Sequence, residues 1–481
     1  MMAEVRPFWL AGRPAQGTAE LEVRHPYDGA LVATVAQPSA AQVEQAVAAA
    51  AAVASQLAAL PAHVRASALG HVSREIARRG DEIARLITAE SGKPLTWSRA
   101  EVARASSTFR WGAEEARRFA GDLTRLDTDP TGEGRLALSR RFPRGPVLGI
   151  APFNFPLNLV AHKVAPALAV GAPIIVKPAP RTPLSSLLLG ELLAETDLPA
   201  GAFSVLTVDN DVVGALVADP RLPVVSFTGS GPVGWSIRDA VPRKQVVLEL
   251  GGNGAVLVAP DFHAPGDLTR AAGRIALFAN YQAGQSCIAV QRVYVDRSLH
   301  DELLGEILAA VRALRDGDPS DPATDVGPLI DTAAAERVET WIGEAVAAGA
   351  TLHCGGTRTG ASVAPAVLTG VSESARLVRE EVFGPVIVVA PVDGVDDGFA
   401  RINDSAFGLQ AGVFTHDLAT AFRAHRELVV GGVVVGDVPS YRADQMPYGG
   451  TKNSGIGREG LRSAMTDLTE ERVLVLTGLD L

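Results

Sequence analysis

From residue 39 onward the apolar positions recur with helical spacing. Val43, Val47 and Val53 share one face of the Ala-rich stretch 40–59. Ser39 stands just before it, where a hydroxyl accepts from the first free N–H groups of a helix. The same spacing predicts helices over 64–79, 81–91 and 101–121. Ahead of them, the run from His25 to Ala30 reads as a turn between two short strands. The period then changes. Residues 135–142 alternate apolar with polar, which predicts a half-exposed strand. At a sheet edge such a strand is an aggregation liability, so a strand from a second subunit is expected to cover it.

From residue 147 the pattern alternates between short apolar runs and amphipathic ones. Strands are predicted over 147–151, 173–177, 203–208, 224–227 and 245–250, with helices over 157–168, 184–195, 212–218 and 232–240 between them. This order implies a parallel, doubly wound sheet, and such sheets bind ligands at the carboxyl ends of their strands. After Gly252 a second α/β series begins. Its clearest strands are 255–258, 292–295, 386–391 and 412–414, and its clearest helices 303–314 and 333–348. A further apolar run, 433–435, lies in a glycine-rich stretch.

Composition narrows the function classes. The 481 residues are 47% hydrophobic, enough for two or three cored domains, and the net charge of −10 argues against nucleic-acid binding. Two cysteines build no disulfide framework and fit a reducing compartment, here expected to be the cytoplasm. The N-terminus shows no signal-peptide pattern, and no apolar run approaches the ~20 residues that cross a bilayer. No metal partner is expected, because the histidines are scattered and neither HExxH nor CxxC occurs.

The candidate chemistry sits at the predicted strand ends. Cys287 closes the polar turn Gly284-Gln285-Ser286-Cys287. A lone cysteine is more often buried and inert, so its case rests on partners elsewhere. Asn154 lies between prolines in a stiff turn and offers an amide donor, although a turn asparagine is the blander reading. Lys177 ends a strand, where it could reach a ligand's hydroxyls or simply be solvated. Gly229-Ser230-Gly231-Pro232-Val233-Gly234 is a G-x-G-x-x-G between a strand and a helix, the context of a phosphate site. The acid expected about 20 residues on is not found in the usual way, so the fingerprint is half met. Glu249 ends a strand among apolar neighbours, which raises a carboxyl pKa and suits a general base. Its alternative is a solvated strand edge. Glu381 and Phe383 precede a rigid Gly-Pro turn and offer a ribose acceptor and a flat ring. Together these are parts for thiol catalysis with a dinucleotide. Cys354 has no basic partner nearby, and in a predicted turn it reads as structural or incidental.

In order, Pro152-Phe153-Asn154-Phe155-Pro156, Lys177-Pro178, Phe227-Thr228-Gly229-Ser230, Glu249-Leu250-Gly251-Gly252, Gly284 to Cys287 and Glu381-Val382-Phe383-Gly384-Pro385 resemble the motifs of the NAD(P)-dependent aldehyde dehydrogenase superfamily. The tail from Met446 to Gly460 resembles its C-terminal signature, so the likeness covers nearly the whole chain. It implies two doubly wound α/β domains and a small β arm for oligomerisation. The dinucleotide-binding domain would span 1–121 and 144–248, the catalytic domain 249–445, and the arm 122–143 and 462–481. It implies that Cys287 attacks the aldehyde carbon, that Asn154 and the Cys287 N–H hold the oxyanion, and that Glu249 activates the water that hydrolyses the thioester. Each oxyanion donor is worth ~3 kcal/mol. It assigns the cofactor to Ile150, Ala151, Pro152, Phe153, Lys177, Gly229, Ser230, Gly234, Leu250, Glu381 and Phe383. A homodimer or homotetramer acting on a small-molecule aldehyde is implied.

Departures from the family pattern bear on specificity. Pro180 stands where many NAD-preferring members carry a glutamate, with Arg181 beside it. No acid would repel a 2′-phosphate, so NADP is expected to be tolerated or preferred over NAD. Ser286 replaces the arginine that some members acting on phosphate-bearing aldehydes place before the cysteine, and Phe155 is apolar. Both point to a small aliphatic or hydroxy-aldehyde, in the lactaldehyde and phosphonoacetaldehyde dehydrogenase-like branch. The alternative is a semialdehyde dehydrogenase in which Arg442 binds a distal anion. A thiol esterase or hydrolase is the rival from another class, and a CoA-acylating enzyme a further variant.

Overall fold

The computed structural model describes residues 5–478. Residues 1–4 and 479–481, the outer ends of the expected segments 1–121 and 462–481, lie outside the described residues. Eight strands form the first sheet, in the order Arg13–Ala15, Phe8–Leu10, Phe203–Val205, Ile174–Lys177, Val147–Ile150, Val224–Thr228, Gln245–Glu249 and Gly455–Ile456. Its five middle strands are parallel, and the flanking ones are antiparallel. The chain steps outward from Val147–Ile150 in one direction, then returns to continue on its other side. That reversal opens a crevice at the carboxyl ends of these strands. The strands bury both faces and read as continuous Val/Ile runs, which is why the alternation was plain in the sequence.

Seven strands form the second sheet: Thr351–Cys354, Ala366–Thr369, Val386–Val392, Val290–Asp296, Gly254–Val258, Gln410–Phe414 and Gly432–Val435. All pair in parallel except the first. Cys354 ends a strand here, with its sulfur 3.8 Å from the Pro365 carbonyl, rather than lying in a turn.

The N-terminal helices follow the expected spacing. Ser39 caps Ala40–Ala59 in a reciprocal box with Gln42, whose side chain accepts from the Ser39 N–H at 2.9 Å. Leu95–Arg118 begins six residues before the expected start at 101. Its first turns bury Ser98 and Glu101, polar residues that an apolar count passes over. Ser98 bonds Thr88 at 2.9 Å, and Glu101 pairs with the fully buried Lys93.

The third sheet corrects the edge-strand expectation. Arg135–Pro143 is its central strand, flanked antiparallel by Thr469–Thr477 and Leu123–Arg125. The exposed edges belong instead to Leu123–Arg125 and to the longer Thr469–Thr477, where Val473 is 63% and Leu474 56% exposed. Helix Leu461–Asp467, inside the segment expected to be arm, packs Leu461 and Met465 into the core of the first sheet. Among the described residues no single helix is long and apolar enough to cross a membrane.

Candidate active site

Helix Asp267–Asn280 delivers the chain to Cys287 through an unusual turn. Gln282, Ala283 and Gly284 take φ values of 52°, 54° and 72° in succession. Glycine adopts that region freely, but for the other two it costs about 1–3 kcal/mol each. Hydrogen bonds hold the turn. The Gln282 side chain donates to the Asn154 carbonyl, Asn154 Nδ2 donates to the Gln285 carbonyl at 3.0 Å, and Gln285 Oε1 accepts from the Ile330 N–H at 2.8 Å. A Cβ on Gly284 would overlap the backbone of Gly384. The turn thus locks Asn154, from the first sheet, onto the cysteine loop of the second. One Asn154 N–H stays free, and the Cys287 N–H makes no hydrogen bond among the described residues.

The Cys287 sulfur lies 3.1 Å from the Tyr448 hydroxyl. Burial pushes its thiol up to about 12. Glu249, the last residue of its strand, is 3% exposed, and neither of its oxygens has a partner among the described residues. Gly449 permits its close approach, since a Cβ there would lie 2.8 Å from Glu249 Oε1. The solvated alternative for Glu249 is therefore excluded. Behind it, Glu459 pairs with Arg442 at 2.8 Å and with Lys163 at 3.6 Å. Burial raises Glu459, but Arg442 and Lys163 outweigh it and hold that carboxyl below the usual range. Burial first, then the Glu459 charge, raises Glu249 well above the usual range. Two neighbouring carboxylates are thereby split into one ionised and one poised to hold a proton.

Across the carboxyl edge of the first sheet, Ile150 pairs with Lys177 on one side and Phe227 on the other, and Thr228 pairs with Glu249. Lys177 donates to Asn210 Oδ1 at 2.7 Å, and burial lowers it to about 8. Gly234 lets helix Gly231–Ala240 sit against Leu250, and a Cβ on Gly229 would lie 2.7 Å from the Phe227 ring. Ser230 precedes that helix and makes no side-chain cap, so the first-turn N–H groups are free to meet a phosphate. Glu381 Oε1 accepts from the Gly252 N–H at 3.0 Å, and its carboxylate occupies the space a Cβ on Gly251 would need. Burial raises it to about 7. Phe383 meets Phe153 edge-on at 5.9 Å between ring centres, and Ala151 and Pro152 continue the same turn. The uncapped helix start, the lysine and the glycine cradle fit a nicotinamide dinucleotide. By position Glu249 is the acid about 20 residues after the glycines, but its carboxylate packs against Gly449 in the catalytic cluster.

On the other side of the sulfur lies a cavity of about 230 Å³. Phe155, Ser286 and Arg442 line it, as their motifs suggested. Tyr281 donates to the Ser286 hydroxyl, and the Lys93 ammonium sits over the Phe155 ring at 4.0 Å. Sequence reasoning missed Trp97, Arg104, Arg274, Tyr281 and Tyr448, which share this wall, and Asn210 beside Lys177. Arg104 lies on a helix whose spacing announced only a core face, so no sequence signal marked it. The acids that pair with the three arginines, Asp444, Asp437 and Glu459, do not line the cavity. Arg442 Nε is buried and unpartnered.

A thiol, an unpartnered carboxyl and an amide donor, set between a dinucleotide crevice and a partly open cavity, have the make-up of a thiol-dependent oxidoreductase. The profile of the aldehyde dehydrogenase family matches residues 13–474. The chain belongs to that family. A 3-sulfolactaldehyde dehydrogenase from Priestia aryabhattai is 43% identical over 399 residues, covering 83% of each chain. The crystal structure of aldehyde dehydrogenase 21 from Physcomitrella patens, in complex with the reaction product succinate, is 41% identical and covers 99% of both chains at a TM-score of 0.96. An NADP-dependent glyceraldehyde-3-phosphate dehydrogenase from Bacillus halodurans, complexed with NADP, is 32% identical, with a TM-score of 0.93 over 98% of this chain and 99% of its own.

Proposed function

We propose that this enzyme oxidises a short aldehyde bearing an acidic group, hydroxylated or not, to the carboxylic acid with NAD or NADP. The Cys287 sulfur bonds to the carbonyl carbon. The Asn154 amide and the Cys287 N–H hold the oxygen that becomes negative. When bound, the nicotinamide supplies the two-electron acceptor that leaves a thioester on Cys287. Lys177, Ser230, Glu381 and Phe383 would hold that cofactor. Glu249 then takes a proton from the water that cleaves the thioester. Free acid as product is the outcome that separates this from CoA acylation, and reduced cofactor the outcome that separates it from a thiol hydrolase.

The acidic tail is carried by one observation: three arginines line the cavity, their own acids are not part of its lining, and the one acidic lining residue, Glu101, is paired with Lys93. A cavity of about 230 Å³ suits only a short chain. The sulfolactaldehyde and succinate of two relatives have the same chemistry. Aldehydes of equal length, ending in methyl, hydroxyl, carboxylate or sulfonate, test this with both cofactors. The acid-tailed compounds are expected to show at least about tenfold higher kcat/KM, and Arg104→Met to erase that difference. A flat profile across the panel would exclude the anionic tail. Arg104 is the cleaner probe, since its side chain is partly exposed, whereas Arg442 is buried against the buried Glu459.

For the cofactor, Pro180 offers no carboxylate to a ribose, whereas Arg181 is turned toward Asp331 at 3.3 Å. We expect NADP within about tenfold of NAD in kcat/KM; a larger NAD preference defeats this. The exposed edge strand Thr469–Thr477, with apolar residues 473–476, supports a homodimer or homotetramer joined through it. Light scattering should give a mass of two or four chains, and one chain would rule out the arm's role. Two unpaired cysteines, one at the reacting centre, support a reducing compartment such as the cytoplasm.

A further inference from the structure

The proposed nucleophile has one side-chain hydrogen-bonding partner among the described residues, and it is neither histidine, lysine nor carboxylate. It is the Tyr448 hydroxyl, 3.1 Å from the sulfur. Tyr448 is 4% exposed, and its backbone is tied to Glu459 in both directions, at 3.0 and 2.7 Å. The Arg442 guanidinium lies 3.9 Å from the centre of its ring. The phenol therefore has little freedom to leave the sulfur. Burial keeps its own proton on, well above the usual phenol range. The charged groups around the sulfur are Arg442, which favours an anion, and Glu249 and Glu381, which oppose one.

We propose that Tyr448 is a positioning residue that donates its hydroxyl hydrogen bond to the Cys287 thiolate, fixing the sulfur's direction and favouring its ionised form. The proton lost from the sulfur goes to water, and Tyr448 keeps its own. The stacked Arg442 cation draws electron density from the ring and makes the hydroxyl a better donor. This rests on Cys287 as the nucleophile and adds the group that tunes it.

The test reads the thiol directly. In a Cys354→Ser background Cys287 is the only cysteine, and its alkylation by iodoacetamide is followed by intact mass across pH. Tyr448→Phe is expected to slow alkylation about tenfold at pH 8, with unchanged Tm. Tyr448→3-fluorotyrosine keeps the ring and the hydroxyl but donates more strongly, and is expected to speed alkylation at pH 8. It decides the matter if the phenylalanine variant does not fold. Alkylation rates equal to the parent's across the accessible pH range would overturn the proposal. No aldehyde is present, so the result stands apart from turnover: activity surviving Cys287→Ser would reject the nucleophile assignment without touching this measurement.

Discussion

Cys287→Ser is expected to lower kcat by at least about a thousandfold while leaving Tm and dinucleotide binding unchanged. Sulfur and oxygen differ little in size, so the loop and its left-handed turn should survive the exchange. The chemistry should not. A serine hydroxyl ionises far less readily than a thiol, and among the described residues no base hydrogen-bonds this position to take its proton; the partner there is Tyr448. Burial, which already pushes the thiol up to about 12, would penalise an alkoxide more. Absorbance of the reduced cofactor during aldehyde turnover measures the loss. A serine variant within about tenfold of the parent would remove the thiol from the reaction.

Glu249→Gln should produce a different signature. Glutamine fills the same space and cannot accept a proton from water. Acylation of Cys287 is expected to proceed, releasing about one reduced cofactor per site in a burst, with steady turnover at least about a hundredfold slower. Mass spectrometry of the quenched protein should show the acyl group on Cys287. Equal loss of burst and steady rate would mean that Glu249 serves an earlier step. In the parent, the raised pKa of Glu249 sets the sign of the pH dependence. A base works ionised, and a raised pKa keeps it protonated to higher pH than an ordinary carboxyl. Deacylation should therefore rise with pH through that elevated value and fall below it. Replacing Glu459, whose charge is a cause of the shift, should move the rise to lower pH.

The βα alternation from residue 147 was legible because every strand there buries both faces. The resulting runs, such as Ile174–Lys177, carry no ambiguity of register. The motif residues were legible for a related reason. Gly234, Gly251 and Gly284 sit where a Cβ would overlap another group, so the site writes itself into the chain as glycines beside single polar residues. The cavity wall was not legible. Trp97, Arg104, Arg274 and Tyr281 come from helices and a turn far apart in sequence, each of which is also an ordinary helix face or turn. Nothing local distinguishes an arginine facing a substrate from one facing water.

The start of helix Leu95–Arg118 was missed because its buried face is partly polar. Glu101 accepts from the Leu157 and Asn158 N–H groups and pairs with Lys93, so it is satisfied by residues remote in the chain. The edge strand was misplaced for a similar reason. Its alternation fixes which faces are wet, but not which neighbour lies alongside, and Thr469–Thr477 arrives from the far end of the chain. Local periodicity determined most of the elements and the parallel sheets, since each follows from spacing and side-chain type within a few positions, and the ordered motifs marked the candidate residues through their family resemblance. Only the tertiary structure decided that Asn154 is locked to the Gln285 carbonyl, that burial and then the Glu459 charge raise the Glu249 pKa, and that three arginines share one cavity. Those outcomes depend on distances and dielectric between segments, and burial creates both only when the segments meet.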